Sequence, residues 1–145
     1  MDAQDHDRRL ALLRWLLAAG ITSTALHYTH NFVEIDQYPD GLVSGKVIQV
    51  AILAAWPLLT AVGLIGYRLY AENRLQAAHG FLVAYSFTGL STLGHFLYGT
   101  PDIPAFFFAT IFTDALTGAA VLAFALWSMA QERGRTRRAT SATAA

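Results

Sequence analysis

The sequence predicts an all-α integral membrane protein, an up-and-down bundle of four helices with both termini on the cytoplasmic side. Three observations carry that expectation. The 145 residues are 54% hydrophobic and 14% charged, against roughly 25% charged in soluble domains. The apolar residues gather into four blocks, each near the roughly 20 residues that a bilayer-crossing helix needs. Nine arginines fall on one side of a four-span topology and Lys46 alone on the other, which the positive-inside rule places with the nine in the cytoplasm.

The first span covers about 10–33. Arg8, Arg9 and Arg14 flank or open it. It is read as a retained helix rather than a cleaved leader, because its apolar run is long and no small-residue cleavage site stands out before His27. The second span, about 46–70, carries Pro57, expected to kink it. The third covers about 75–98 and the fourth about 104–129, with Pro104 suited to a first helical turn. Lipid offers no partner to free backbone groups, so each span must be helical. Tyr38-Pro39-Asp40-Gly41, Ala71-Glu72-Asn73 and Gly99-Thr100-Pro101-Asp102 read as the turns between them. Connections this short make neighbouring helices antiparallel, in one domain over 1–132. The tail 133–145, with Arg133, Arg135, Arg137 and Arg138, is polar, basic and expected to be disordered. Contact with membrane lipid is one role for it.

Ten acidic and ten basic residues cancel and there is no cysteine. No positive field points to nucleic acid, and disulfides, thiolate metal sites and cysteine nucleophiles are excluded. Small residues such as Gly63, Gly66, Gly89, Gly94 and Gly118 allow close helix contact, within the chain or across a homodimer. Trp15 and Trp127 suit interface or packing positions.

Polar residues inside a membrane are costly and turn toward the bundle interior. Here they recur at helical spacing. In the first span Gly20, Thr24, His27, Asn31 and Glu34 share a face, with His30 beside them. The second offers Gln49, Trp56, Thr60 and Gly63, the third Tyr85, Thr88, Thr92 and His95, and the fourth Thr110, Thr113, Asp114, Thr117 and Gly118. Asp114 falls about 15 Å into its helix at 1.5 Å per residue, near the bilayer midplane. His79 and His6 lie apart from this group.

Three chemistries compete for these residues. In the first, a dry pocket takes an apolar substrate and moves protons on it. Glu34 or Asp114 donates, and His30 accepts or relays. His27, Asn31, Gln49, Trp56, Tyr85, Thr92, His95 and Thr113 line or orient. In the second, a metal or haem is bound. His27-x-x-His30 with Glu34, completed by His95 or Asp114, suits zinc or iron, and His27 or His30 can face His95 across a haem. The first chemistry needs no cofactor. In the third, the chain is a structural accessory subunit of a membrane complex.

The pattern also resembles a known family. His30-Asn31-Phe32-Val33-Glu34 is similar to the first-helix histidine and glutamate of the EXPERA superfamily, which includes the emopamil-binding protein and the sigma-2 receptor. Gln49, seven residues before Trp56-Pro57, stands where its isomerases carry a second glutamate. Asp114, in the segment Phe106 to Leu116, stands at the place of a pocket asparagine. The resemblance implies a four-helix membrane fold around a pocket for a sterol- or isoprenoid-like ligand. It also implies, in some members, an isomerase that shifts a double bond by protonation and deprotonation. Thr117 replaces the tryptophan that those isomerases use against a cationic intermediate.

Overall fold

The computed structural model describes residues 3–38 and 45–143, all of its regular structure being helical. The four long helices are α1 (Ala3–Val33), α2 (Gly45–Ala71), α3 (Leu75–Leu90) and α4 (Ala105–Thr143), with 3₁₀ turns at Ile35–Gln37 and Ser91–Leu97. Ala3–Val33, Gly45–Ala71 and Ala105–Arg135 are long and apolar enough to cross a bilayer. The turn expected at Tyr38-Pro39-Asp40-Gly41 lies, after Tyr38, outside the described residues.

Each helix buries one stripe. On α1 it is Arg9, Leu13, Leu17, Gly20, Thr24, His27 and His30, three or four residues apart. On α4, Ile111, Asp114, Gly118, Val121, Ala125 and Ser128 follow the same spacing, the period that keeps one helical face against its neighbours. The outward faces are rich in exposed apolar side chains, among them Trp15, Leu53, Leu58, Phe87, Phe106 and Leu116. A surface of that kind is suited to lipid rather than water.

The joint between α2 and α3 is a helix cap of regular geometry. Asn73 adopts a left-handed backbone, φ 58°. Its N–H donates to the Tyr70 carbonyl at 3.0 Å, and the Arg74 N–H donates to that of Leu69 at 2.9 Å. This pair of bonds satisfies the last carbonyls of α2. At the far end, the Asp102 N–H donates to the Gln37 carbonyl at 3.2 Å and ties the two connecting segments together.

Two boundaries differ from the sequence expectation. The third block is not one α-helix over 75–98, because α3 stops at Leu90. Its 16 residues reach about 24 Å at 1.5 Å per residue, short of a roughly 30 Å hydrocarbon core. The cause is side-chain competition for the backbone. Thr92 Oγ1 shares its one proton between the Gly89 carbonyl at 2.6 Å and the Ile111 carbonyl at 3.0 Å, and Ser91 Oγ donates to the Thr88 carbonyl at 3.3 Å. Such bonds favour a tighter turn over continued α-helix. The second difference is the basic tail, expected to be disordered, which continues α4 to Thr143. Gln131, Glu132, Arg133 and Arg135 are good helix formers, and Arg135 Nη2 bonds Asp5 Oδ2 at 2.9 Å. Helix α2 runs through Pro57 without a break.

The interior divides along the bundle axis. The half nearer the termini is an apolar core of Leu13, Leu17, Leu69, Tyr70, Leu82, Val121 and Phe124. It is closed at its end by Arg9, which bonds Asp5 at 3.0 Å and lies 4.4 Å from the Trp127 ring centre. The half nearer the α1–α2 and α3–α4 connections is polar.

Candidate functional site

The polar half is built by three segments, α1, α4 and the 3₁₀ turn after α3. Asp114, fully buried, projects from α4. One oxygen takes a short hydrogen bond from Ser23 of α1, and the other stands 3.4 Å from Nδ1 of His27. His27 is 1% exposed. Its Nδ1 is also 3.2 Å from Thr110 Oγ1, and its Nε2 is 3.0 Å from His95 Nε2. The Asn31 amide nitrogen lies 3.3 Å from the same His95 atom. Ser23 and Asp114 thus form one hydrogen-bonded pair between α1 and α4, and Thr110, His27, His95 and Asn31 a second chain across three segments, with Asp114 in electrostatic contact with His27. The break at Ser91 matters here, because the 3₁₀ turn carries His95 to α1.

His30 is buried but belongs to a neighbouring arrangement. Its ring stacks on Phe107 with centroids 3.9 Å apart, and its Nδ1 meets the Tyr38 hydroxyl at 3.0 Å. Burial pushes the Tyr38 hydroxyl up to about 12, so it stays protonated and shares a hydrogen bond with His30. Tyr38 also walls the cluster, with its ring 5.0 Å from that of His95 and 6.4 Å from that of His27.

Several expected site residues stand elsewhere. Glu34 is exposed and accepts a hydrogen bond from Gln37 Nε2 at 3.0 Å. Helix α1 ends at Val33, and Glu34 has φ −113° and ψ 41°. The helical repeat that placed Glu34 on the face of His27 and Asn31 therefore stops one residue too soon. Gln49 Nε2 donates to the Phe32 carbonyl at 2.9 Å, bracing α2 against the end of α1. Trp56 Nε1 donates to Thr24 Oγ1 at 3.3 Å and borders a cavity of about 150 Å³ with Tyr28, Phe32 and Leu53. Thr92 is spent on the α3 terminus. The trio His30, Glu34 and Asp114 accordingly does not face one space as an acid–base set.

Tyr85 is 3% exposed, and its ring lies where a side chain at Gly63 would go. Its hydroxyl has no hydrogen-bond partner among the described residues. Tyr85→Phe is expected to match or exceed the wild-type stability by up to about 1 kcal/mol, read by thermal unfolding in detergent. A clear loss would show that the hydroxyl has a partner.

The metal and haem alternatives change with this geometry. Among the described residues no three His, Asp or Glu side chains gather as a metal-holding group: His27 and His95 converge, while His30 and Glu34 are engaged elsewhere and do not complete the set. Axial nitrogens of a haem stand about 4 Å apart across the iron, at roughly 2 Å each. His27 and His95 touch at 3.0 Å, which leaves no gap for a porphyrin.

Two larger spaces border the chain of polar groups. A groove of about 700 Å³ between α1 and α4 is lined by Trp15, Ala19, Leu26, Phe106, Ala109 and Leu116, with Ser23, Thr110 and Thr113 on its wall. Ser23 Oγ and Thr113 Oγ1 lie 2.7 Å apart there. A second hollow, about 620 Å³, is bordered by His30, Glu34, Gln37, Pro104 and Phe107.

Sequence reasoning passed over Ser23 and Tyr38. Ser23 had a signal, since it lies one helical turn before His27. Tyr38 had none, because it sits past the end of α1. No family model, curated protein or solved structure matches the chain.

Proposed function

We propose that this is a multi-pass protein of the cell membrane that binds a lipophilic small molecule, sterol- or isoprenoid-like, in the groove between α1 and α4. The observation that carries this reading is the composition of the groove. Its walls are mostly apolar, its volume falls in the range of small-molecule sites, and Ser23 on its wall bonds the buried Asp114. A ligand with an apolar body and one hydroxyl or carbonyl group fits that pattern. The body replaces lipid, and the polar group meets hydroxyls oriented by a buried acid.

The topology proposed with it has four spans and both termini in the cytoplasm. Helix α3 together with its 3₁₀ turn supplies the fourth crossing, and the arginine distribution supplies the orientation. The EXPERA resemblance implies the same ligand class. Double-bond isomerisation asks for an acid and a base facing each other across the ligand. Glu34 and Gln49 stand away from the groove, so binding, without a reaction, is the function proposed.

The test is a thermal-shift screen of the detergent-solubilised protein with sterols and isoprenoid alcohols. An alcohol should raise the melting temperature more than its parent hydrocarbon. The Ser23→Ala, Thr113→Val double variant should lose that difference, with about tenfold weaker affinity, the equivalent of one hydrogen bond. An equal response to alcohol and hydrocarbon, or an unaltered response in the variant, would refute the assignment.

A further inference from the structure

The hydrogen-bond chain fixes the tautomer of His27. The Thr110 hydroxyl has one proton, and its 2.6 Å contact with the Phe107 carbonyl takes it. Toward His27 Nδ1, 3.2 Å away, Thr110 Oγ1 can then only accept. The Asp114 carboxylate stands 3.4 Å from the same nitrogen, outside hydrogen-bond geometry, and its charge favours a proton there. Nδ1 therefore carries the proton, and the opposite nitrogen, Nε2, presents a lone pair. That lone pair points at His95 Nε2, 3.0 Å away, where the Asn31 amide also converges at 3.3 Å.

We propose that His27 and His95, with Asn31 as a third donor, form a binding site for a divalent transition-metal ion of the imidazole-preferring class, such as Zn²⁺. The carboxylate–histidine pair is the characteristic outer shell of such sites. A carboxylate holds the ring proton on one nitrogen and turns the other toward the ion. Here the Thr110 hydroxyl oxygen takes the ring proton, and Asp114, 3.4 Å from the same nitrogen, adds its negative charge. The distances fit as well. At about 2.05 Å per metal–nitrogen bond, nitrogens 3.0 Å apart subtend about 94° at the ion. Opening them to about 3.3 Å gives the tetrahedral angle. This geometry disfavours a linear two-coordinate ion. Rotated half a turn about its last torsion, the Asn31 amide presents its oxygen as the third ligand. The negative charge of Asp114 offsets part of the ion's charge in a dry interior, where an uncompensated dication is costly.

Access and walls are in place. His95 is half-buried where His27 is closed off, so an ion reaches the pair from the His95 side. Tyr38, held by His30, and Tyr28, 6.0 Å from His27 between ring centres, screen the flanks. This site lies beside the proposed ligand groove but does not depend on it.

The test is metal stoichiometry of the full chain, purified in detergent, stripped with chelator and reloaded with Zn²⁺ alone. The readouts are elemental analysis and, with Co²⁺ in place of Zn²⁺, the visible absorption of a four-coordinate ion. Wild type and His79→Ala should each hold one ion per chain. His27→Gln and His95→Gln should fall to background while keeping wild-type helicity by circular dichroism. Asp114→Asn keeps all three ligands and should bind 10- to 100-fold more weakly, as loss of an outer-shell partner does. Asn31→Asp, which puts a charged ligand oxygen in place of the amide, should bind more tightly. Wild type with no more ion than the His27→Gln, His95→Gln double variant, or a His95→Gln variant that retains full loading, overturns the proposal. The ligand screen above is run on the chelator-stripped protein, so the two results stand or fall separately.

Discussion

Gly89→Ala and Gly118→Ala are each expected to destabilise the bundle by about 3 kcal/mol, the upper part of the range for overpacking. A methyl group at Gly89 would run into the Asp114 carbonyl oxygen. One at Gly118 would stand 2.6 Å from the Ser86 carbonyl oxygen and 3.0 Å from the Leu90 nitrogen. All of these are backbone atoms within helices, which cannot swing aside as a side chain can. To admit the methyl group, α3 and α4 would have to move apart, loosening the Thr92 to Ile111 bond at the start of the 3₁₀ turn. Gly80 is the control. Nothing lies within 4 Å of a side-chain atom there, so Gly80→Ala should gain up to about 1 kcal/mol from helix propensity. Unfolding in mixed micelles, followed by circular dichroism, reads all three. If Gly89→Ala and Gly80→Ala behaved alike, the close approach of α3 to α4 would be wrong.

Asp114→Ala is expected to cost about 2 kcal/mol of bundle stability. Interhelical hydrogen bonds inside membranes contribute only about 0.6 kcal/mol each on average, so one lost bond would not reach that figure. Asp114, however, takes a bond from Ser23 and stands against His27, both on α1. Its removal takes the acceptor from Ser23 and leaves a void at a fully buried position, losses that together reach about 2 kcal/mol. Asp114→Asn preserves shape and an acceptor oxygen and should lose less than half as much. Ser23→Ala should be non-additive with Asp114→Ala, with a coupling of about 1 kcal/mol, because the two side chains share one bond. Strict additivity would show that α1 and α4 are not joined through this pair.

The two substitutions concern different kinds of information. Close helix contact was expected of Gly63, Gly66, Gly89, Gly94 and Gly118, from residue size alone. Four of them meet a neighbouring helix, whereas Gly94 has only Leu97 of its own turn within reach. Which pair brings backbone against backbone depends on how α3 and α4 cross. Asp114 stood out as an acid deep in an apolar block, and His27, Asn31, Thr92 and Thr110 were legible as members of inward faces. Glu34 was misplaced for a local reason, since the i, i+4 relation holds only while the helix lasts and α1 ends at Val33. Gln49 was misplaced for a tertiary one, since its amide found the open Phe32 carbonyl at the end of α1.

Hydropathy and a 3.6-residue repeat act over one or two turns, so the primary structure alone was enough to establish helices, apolar outward faces and the side of each helix that turns inward. Partner choice across the bundle was decided by packing. His27 meets His95 across 68 positions of chain, and Ser23 meets Asp114 across 91. Those contacts exist because Ser91 and Thr92 turn the chain out of α3 and because glycines let α4 approach. Neither effect has a period that can be read along the chain: both depend on distances between segments, which appear only when the helices are assembled.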